Sequence, residues 1–310
     1  MLRYAGRRLL SAAVVVLAVA VATFLILHVE PGDPARAVLG EHATAGEVHA
    51  LRHEWGLDAS LGSQFVRYLG DIVRGDLGRS FLSQTSTTSL ISARIAVTVS
   101  LVGVATLFSI LITLPLAALA AARKERLPDH LVRGLSVAGL GLPAFWFGIV
   151  LIEIFALRLH LLPVGGWGDS FGTHLESLVL PGLTASFAIA PILVRSLRVG
   201  MIEVLDADFV ATLRAKGLGE LRVLGHVARN AVLPALNLLG INIAYLIGST
   251  VVIERVFGLN GLGSLLLSSI AERDFPVVQA LTLILATGVV LINLLIDLVA
   301  AWLDPRIRLG

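Results

Sequence analysis

The stretch Ile95–Ala122, IAVTVSLVGVATLFSILITLPLAALAAA, decides the fold. It carries no ionisable side chain, and its one proline, Pro115, stands near the end. A helix needs about 20 apolar residues to cross the hydrocarbon core of a bilayer, and this run exceeds that length. A core helix of a soluble domain would space its apolar residues along one stripe, whereas here they are uninterrupted. Five further runs are similarly apolar, the second of them with one carboxylate, Glu153: Leu9–Leu27, Gly134–Leu157, Leu178–Val194, Ala231–Ile253 and Pro276–Ile296. The expected fold is therefore an all-α integral membrane protein of about six transmembrane helices.

Composition agrees. Of the 310 residues 56% are hydrophobic and 15% charged, where a soluble domain carries roughly a quarter charged residues. There is no cysteine, which excludes disulfides, zinc–thiolate centres and thiol nucleophiles. The basic residues are almost all arginine, and they do not gather into one block of the kind that binds nucleic acid. The first run is longer than the 7–15-residue apolar region of a cleaved signal peptide and continues through Phe24, Leu25 and Ile26, so it is expected to remain as a span.

Orientation follows from arginine and lysine in the short flanks. The N-terminal flank is basic, and Arg123, Lys124, Arg126 and Arg133 follow the second run. Arg195, Arg198, Arg214, Lys216, Arg222 and Arg229 follow the fourth, and Arg306 and Arg308 end the chain. The short loops on the other side offer Arg158, Arg255 and Arg273. Both termini are expected in the cytoplasm. Residues 1–94 then comprise the first helix and a long extracytoplasmic loop, 95–303 the remaining five helices, and 304–310 a cytoplasmic tail.

The extracytoplasmic loop opens on Pro31-Gly32-Asp33-Pro34, a turn signal. Within it Val48, Leu51 and Trp55, and again Phe65, Leu69 and Ile72, recur at helical spacing, which predicts short helices packed over the bundle. On the cytoplasmic side, Asp208-Phe209-Val210-Ala211-Thr212-Leu213-Arg214-Ala215-Lys216-Gly217-Leu218 reads as a short helix. Asp206 and Asp208 suit its N-terminus, Arg214 and Lys216 its C-terminus, and Gly217 its stop. Phe209, Val210 and Leu213 form an apolar face. A second short helix is expected from Glu220 to about Ala228, with Pro234 opening the fifth span. An interfacial helix on the inner leaflet has this same pattern, and neither spacing nor charge shows what the helix touches.

Asp208 to Gly217, with Val223, His226, Arg229-Asn230 and Leu233-Pro234, resembles the coupling loop of ABC-importer permeases of the dipeptide/oligopeptide/nickel family. The similarity runs through the chain. It includes Pro31-Gly32-Asp33-Pro34-Ala35, Gly56-Leu57-Asp58, Gly75-Asp76-Leu77-Gly78 and Leu162-Pro163-Val164. It continues in Glu254-Arg255-Val256-Phe257, Gly261-Leu262-Gly263, Arg273-Asp274-Phe275-Pro276 and Asp304-Pro305-Arg306-Ile307-Arg308. The family usually has alanine at Leu213, tyrosine at Phe209 and Ala300, and proline at Asn260.

The resemblance implies a permease subunit forming half of a translocation pathway for peptides, with nickel or another small solute as the alternative. Its implied partners are a second, related permease, two ATPase subunits and an extracytoplasmic substrate-binding protein, all around a chain embedded in lipid of the cytoplasmic membrane. ATP and Mg would bind in those ATPase subunits, because no G-x-x-x-x-G-K-[ST] loop occurs here. The ATPase-coupling residues implied are Asp208, Phe209, Val210, Leu213, Arg214, Ala215, Lys216, Gly217 and Leu218.

Polar residues within the spans are the candidates for a pathway lining: Asn242, Asn293 and Glu153. For the first two an interhelical hydrogen bond is the competing role, and for Glu153 it is snorkelling to the interface beside Arg158. Asp297 is expected to pair or cap, with Trp302 an interface anchor. His49 and His53 stand i, i+4 beside Glu54, which is ligand spacing but also ordinary helix surface, and no metal is expected. No nucleophile–base pair sits at one depth, so a membrane enzyme is disfavoured and no catalytic residue is expected. A secondary transporter would place a carboxylate or broken helix at mid-membrane, where ionisable groups are almost absent.

Overall fold

In lipid the backbone has no partner but itself, so each apolar run must close its own hydrogen bonds as a helix. The computed structural model describes residues 2–29, 34–40 and 42–303, and among these there are helices and turns but no named strand. The Pro31–Asp33 turn and the tail 304–310 lie outside the described residues, as does the side chain of Trp302. The elements in order are α1 Leu2–Val29, α2 Pro34–Leu39, α3 Ala45–Glu54, α4 Leu61–Val73 and α5 Thr87–Ala122. Then come α6 Leu127–Gly141, α7 Ala144–Leu151, a π-helical turn Ile152–Arg158, and α8 Phe171–Leu205. Last are α9 Asp208–Ala215, α10 Glu220–Val256, α11 Leu262–Ala271 and α12 Phe275–Leu303.

Among the described residues five helices are long and apolar enough to span a membrane, and a bent pair makes six if it is taken as one span. That pair is where the third predicted span differs. The axis of α6 and that of α7 with its π turn meet at 103°. Pro143 has no N–H to donate and pushes the residue before it out of helical space; Leu142 accordingly sits at φ −101°, ψ 132°. The fifth span differs too: the separate helix expected at Glu220 to Ala228 is continuous with it, giving α10 37 residues. Pro181 and Pro191 are carried inside the 35-residue α8 without ending it.

The core is stacked along α5. Near its start Ile91 packs with Leu262, Val277 and Leu281. In its middle Val97, Leu101 and Ala105 pack with α8 and α10 through Leu180, Ile189 and Leu246. Near its end Ala117 and Ala121 pack with Leu197, Met201, Val210 and Val223. From residue 91 to residue 121 a helix rises about 45 Å, so α9 and α11 stand at opposite ends of the bundle. Helices α5, α8 and α10 form the centre, α12 packs on α10, and α1 packs principally on α12. Arg8 near the start of α1 pairs with Asp297 near the end of α12 at 2.8 Å, so the two helices run antiparallel.

The segment after α1 forms a cap of three short helices at the α11 end. Thr44 and Glu47 make a reciprocal capping box that starts α3. Phe65 and Tyr68 of α4 pack their rings on Phe24 of α1, and Trp55 stacks on Phe81 at 3.9 Å. The helical spacing of the Phe65 set thus places α4 over the bundle as its pattern predicts.

Candidate functional site

Helix α9 is only eight residues long and its geometry is fixed at the far end. Gly217 adopts φ +77°, its N–H reaches Arg214 O at 2.9 Å, and Leu218 N–H reaches Leu213 O at 3.2 Å. This is a Schellman stop with glycine at the left-handed position and an apolar pair, Leu213 and Leu218, closing it. A side chain at residue 217 would strain that position. Four residues on, α10 has already begun.

The apolar face read from the sequence is divided. Val210 is fully buried and, with partly buried Leu213 and Leu218, rests on Met201, Val223 and Val227. Phe209 points away and is 40% exposed, alongside exposed Asp208, Ala215, Lys216 and Gly217. Arg214 is engaged within the chain: its Nε and Nη2 donate to the two carboxylate oxygens of Glu220 at 2.9 and 3.2 Å, bracing α9 against α10. The Arg214 guanidinium holds the Glu220 carboxyl below its ordinary value. Phe209 and Lys216 therefore stand on the exposed side of α9, while Val210, Leu213 and Arg214 hold the helix to the bundle.

Two links tie this end to the turn between α5 and α6. Lys124 pairs with Asp206 at 3.7 Å across exposed surface. Deeper in, Arg198 of α8 donates from Nε and Nη2 to the two oxygens of Asp129, each at 2.5 Å, and Glu125 N–H donates to Asp129 at 2.9 Å. The Asp129 side chain is completely buried and that of Arg198 is 15% exposed. Such a fork-on-carboxylate contact fixes orientation as well as distance. Sequence reasoning counted Arg198 among the flanking positive charges and did not single out Asp129. Its position just after Leu127-Pro128, in the first turn of a helix, was the available signal.

At the opposite end two buried carboxylates organise the loops. Glu254, 0% exposed, accepts from Thr98 Oγ1 at 2.6 Å and from Ser264 N–H at 2.8 Å, while Leu262 N–H donates to Thr98 Oγ1 at 2.8 Å. The carboxylate and the threonine thus satisfy the free N–H groups at the start of α11 from other helices. Gly261 has no side chain because Glu254 occupies that space, where a Cβ would collide with its carboxylate. Asp274 accepts from Ser80 Oγ and from Phe81 N–H at 3.0 Å, fastening the cap segment to the start of α12. Gly166 N–H donates to Phe257 O at 3.0 Å, which docks the loop after Leu162-Pro163-Val164 on the turn after α10. The scattered short motifs of the sequence meet here as contacts between loops.

The three candidate lining residues do not converge. Asn242 is buried and its Nδ2 donates to Leu238 O in its own helix at 2.7 Å. Asn293 faces Gly240 of α10, in the seam between α10 and α12. Glu153, on the π turn, accepts from Arg158 Nε at 2.9 Å at the surface. His49 and His53 lie exposed on α3, and among the described residues no three metal-ligating side chains come together.

Residues 113–309 match the family model described as "Binding-protein-dependent transport system inner membrane component", and residues 1–102 match its N-terminal companion. The glutathione transport system permease protein GsiC of Salmonella paratyphi A is 38% identical over 309 residues, covering 99% of each chain. Its counterparts in Escherichia coli O6:H1 and Salmonella typhimurium are each 37% identical over the same length. The stacked bundle, the short braced helix after α8 and these full-length matches lead to one conclusion: the chain belongs to the binding-protein-dependent inner-membrane components, as an ABC importer permease of the dipeptide/oligopeptide type and a multi-pass protein of the inner membrane.

Proposed function

We propose that this chain forms half of the translocation pathway of an ATP-driven importer for di- or oligopeptides, and that α9 is the lever on which an ATPase subunit acts. The observation that carries the reading is Phe209. It is a large apolar side chain, 40% exposed, on a rigidly stopped helix whose remaining apolar residues are committed to the bundle. Arginine and lysine gather at this end, which supports placing it, and both termini, in the cytoplasm. The cap of α2 to α4 then faces outward, toward a substrate-binding protein. A second, related permease completes the pathway, and ATP with Mg binds in two ATPase subunits.

Mechanically, nucleotide-driven closure of the ATPases pushes α9 as a rigid body. The Arg214–Glu220 brace and the buried Val210 pass that displacement to α10, and the direct junction at Asp206 passes it to α8. A bundle with two arrangements, biased at one end, couples hydrolysis to opening. The relatives are glutathione permeases, and glutathione is itself a small peptide, which supports the peptide class over nickel or another small solute.

The test is Phe209→Asp in the assembled, reconstituted complex. The expected result is loss of peptide uptake and of ATPase docking with the permease pair still intact. Unchanged uptake and ATPase assembly would refute the lever. Uptake that survives ATP depletion but stops with an uncoupler would instead mark a gradient-driven transporter.

A further inference from the structure

A cavity of about 420 Å³ lies between the cap, the end of α1 and the first turns of α12, next to the Asp274–Phe81 contact. That is the size of a small-molecule site. Helix α4 lines it with Gln64, Arg67, Tyr68 and Asp71, spaced i, i+3, i+4 and i+7 and therefore on one helix face. This polar face is turned toward the cavity, while Val66 and Val73 on the opposite side are 69% and 87% exposed. The Phe65, Leu69 and Ile72 flank of α4 meets the bundle, its polar flank opens on the cavity, and the exposed valines suit an element lying at the membrane interface.

Across the cavity stands Gln279 of α12. The Tyr68 hydroxyl lies beside Thr23 and Gln279, and both it and Gln279 Nε2 are buried with no hydrogen bond of good geometry. Buried polar groups left unpaired in a native fold call for a ligand or solvent. Arg67 lines the same space and has no ion pair among the described residues. Three groups able to donate therefore converge on one side of the cavity. At the rim are two carboxylates, Asp71 (also near Arg74, at 3.7 Å) and Asp76, which accepts Gly78 N–H at 2.9 Å. The deep wall is apolar: Phe24, Ala280 and Leu283. Leu283 is eight residues beyond Phe275, about 12 Å along the helix, so the cavity runs from surface charge into the hydrocarbon zone. It also sits beside α1, at the edge of the bundle, away from the α5–α8–α10 centre.

We propose that this cavity holds a zwitterionic phospholipid of the adjoining leaflet. The phosphate accepts from Arg67, the Tyr68 hydroxyl and the Gln279 amide. The ammonium group meets Asp71 and Asp76, and one acyl chain descends along Phe24, Ala280 and Leu283. A bound lipid of this kind fastens the cap to α1 and α12 through groups that the protein alone leaves unpaired. The proposal requires only that the chain spans a membrane with the cap at one surface, and it is independent of what is transported.

The test is native mass spectrometry of the whole importer complex after exchange through an equimolar mixture of phosphatidylethanolamine and phosphatidylglycerol. The expected result is one phosphatidylethanolamine retained per permease in preference to phosphatidylglycerol. Arg67→Met, on the exposed flank of α4, and Ala280→Trp, which fills the floor, each lower retention about tenfold. Should Ala280→Trp fail to assemble, Arg67→Met alone decides. No retained lipid in the wild type, equal retention of the two lipids, or undiminished retention in Arg67→Met overturns the proposal. Displacement of the lipid by an excess of transported peptide also overturns it, and assigns the cavity to the solute.

Discussion

Replacing Asp129 by asparagine removes the charge from an ion pair that the bundle encloses. Both contacts to Arg198 are 2.5 Å long, the carboxylate is fully buried, and Arg198 retains only 15% exposure. Losing one member leaves a guanidinium desolvated and uncompensated, which costs about 3–5 kcal/mol. The fraction of Arg198 that water reaches places the expectation near the lower figure. By contrast, the Lys124–Asp206 pair is 3.7 Å long with its side chains 51% and 72% exposed, and such a pair contributes less than about 1 kcal/mol. Denaturant unfolding of the purified complex in micelles measures the difference. Asp129→Asn is expected to lose about 3 kcal/mol and Lys124→Met almost nothing. The double variant Asp129→Leu with Arg198→Met, apolar on both sides, should recover most of the loss, because no charge is then stranded. A cost under about 1 kcal/mol for Asp129→Asn, or a double variant as costly as the single variants Asp129→Leu and Arg198→Met added together, would show that no buried charge is stranded.

Glu254→Ala orphans the N–H of Ser264 and the hydroxyl of Thr98 at the start of α11 and is expected to cost at least about 2 kcal/mol, whereas Glu254→Gln, which keeps an acceptor, costs less; unfolding of the same complex distinguishes them. Gly217→Val forces a branched side chain into φ +77° and should cost about 1–2 kcal/mol, seen as faster amide exchange across α9 with no change in the cap. The Arg214–Glu220 brace titrates in a known direction. The Glu220 carboxyl is depressed in the fold, so its contribution is intact above the ordinary value of 4.5 and is lost as pH falls through the lower, folded value. Amide exchange in α9, corrected for its intrinsic pH dependence, should be level from pH 7 to pH 5 and rise only in stronger acid.

The membrane class and the approximate places of the six crossings were legible because lipid imposes a one-dimensional rule: any run long and apolar enough must be a helix. The bend at Leu142-Pro143 obeyed a local rule that proline announces, but whether the chain kinks or breaks there depends on what α8 offers, as its own Pro181 and Pro191 pass without a break. The stop at Gly217 was legible for the same local reason. What the periodicity could not give was which side of α9 its apolar residues serve: Val210 and Phe209 are neighbours in sequence with opposite fates, and only the packing of Met201 and Val223 separates them. The buried carboxylates were harder still. Glu254 and Asp274 stand in recognisable motifs, yet their partners Thr98 and Ser80 are far away in sequence. Asn242 and Asn293 were candidates because mid-span polar groups are rare, and the sequence could not show that Asn242 bonds its own helix backbone or that Asn293 stands beside Gly240.

Because the sequence has no native cysteine, contact between α9 and an ATPase subunit is directly measurable. A single cysteine placed at Ala215, on the exposed side of α9, can be cross-linked in the assembled importer with and without ATP. A lever at α9 gives a cross-link to the ATPase subunit whose yield changes with nucleotide, and none from a cysteine placed at Val66 in the cap. A cross-link from Val66 but not from Ala215, or no contact at either position in an active complex, would contradict it.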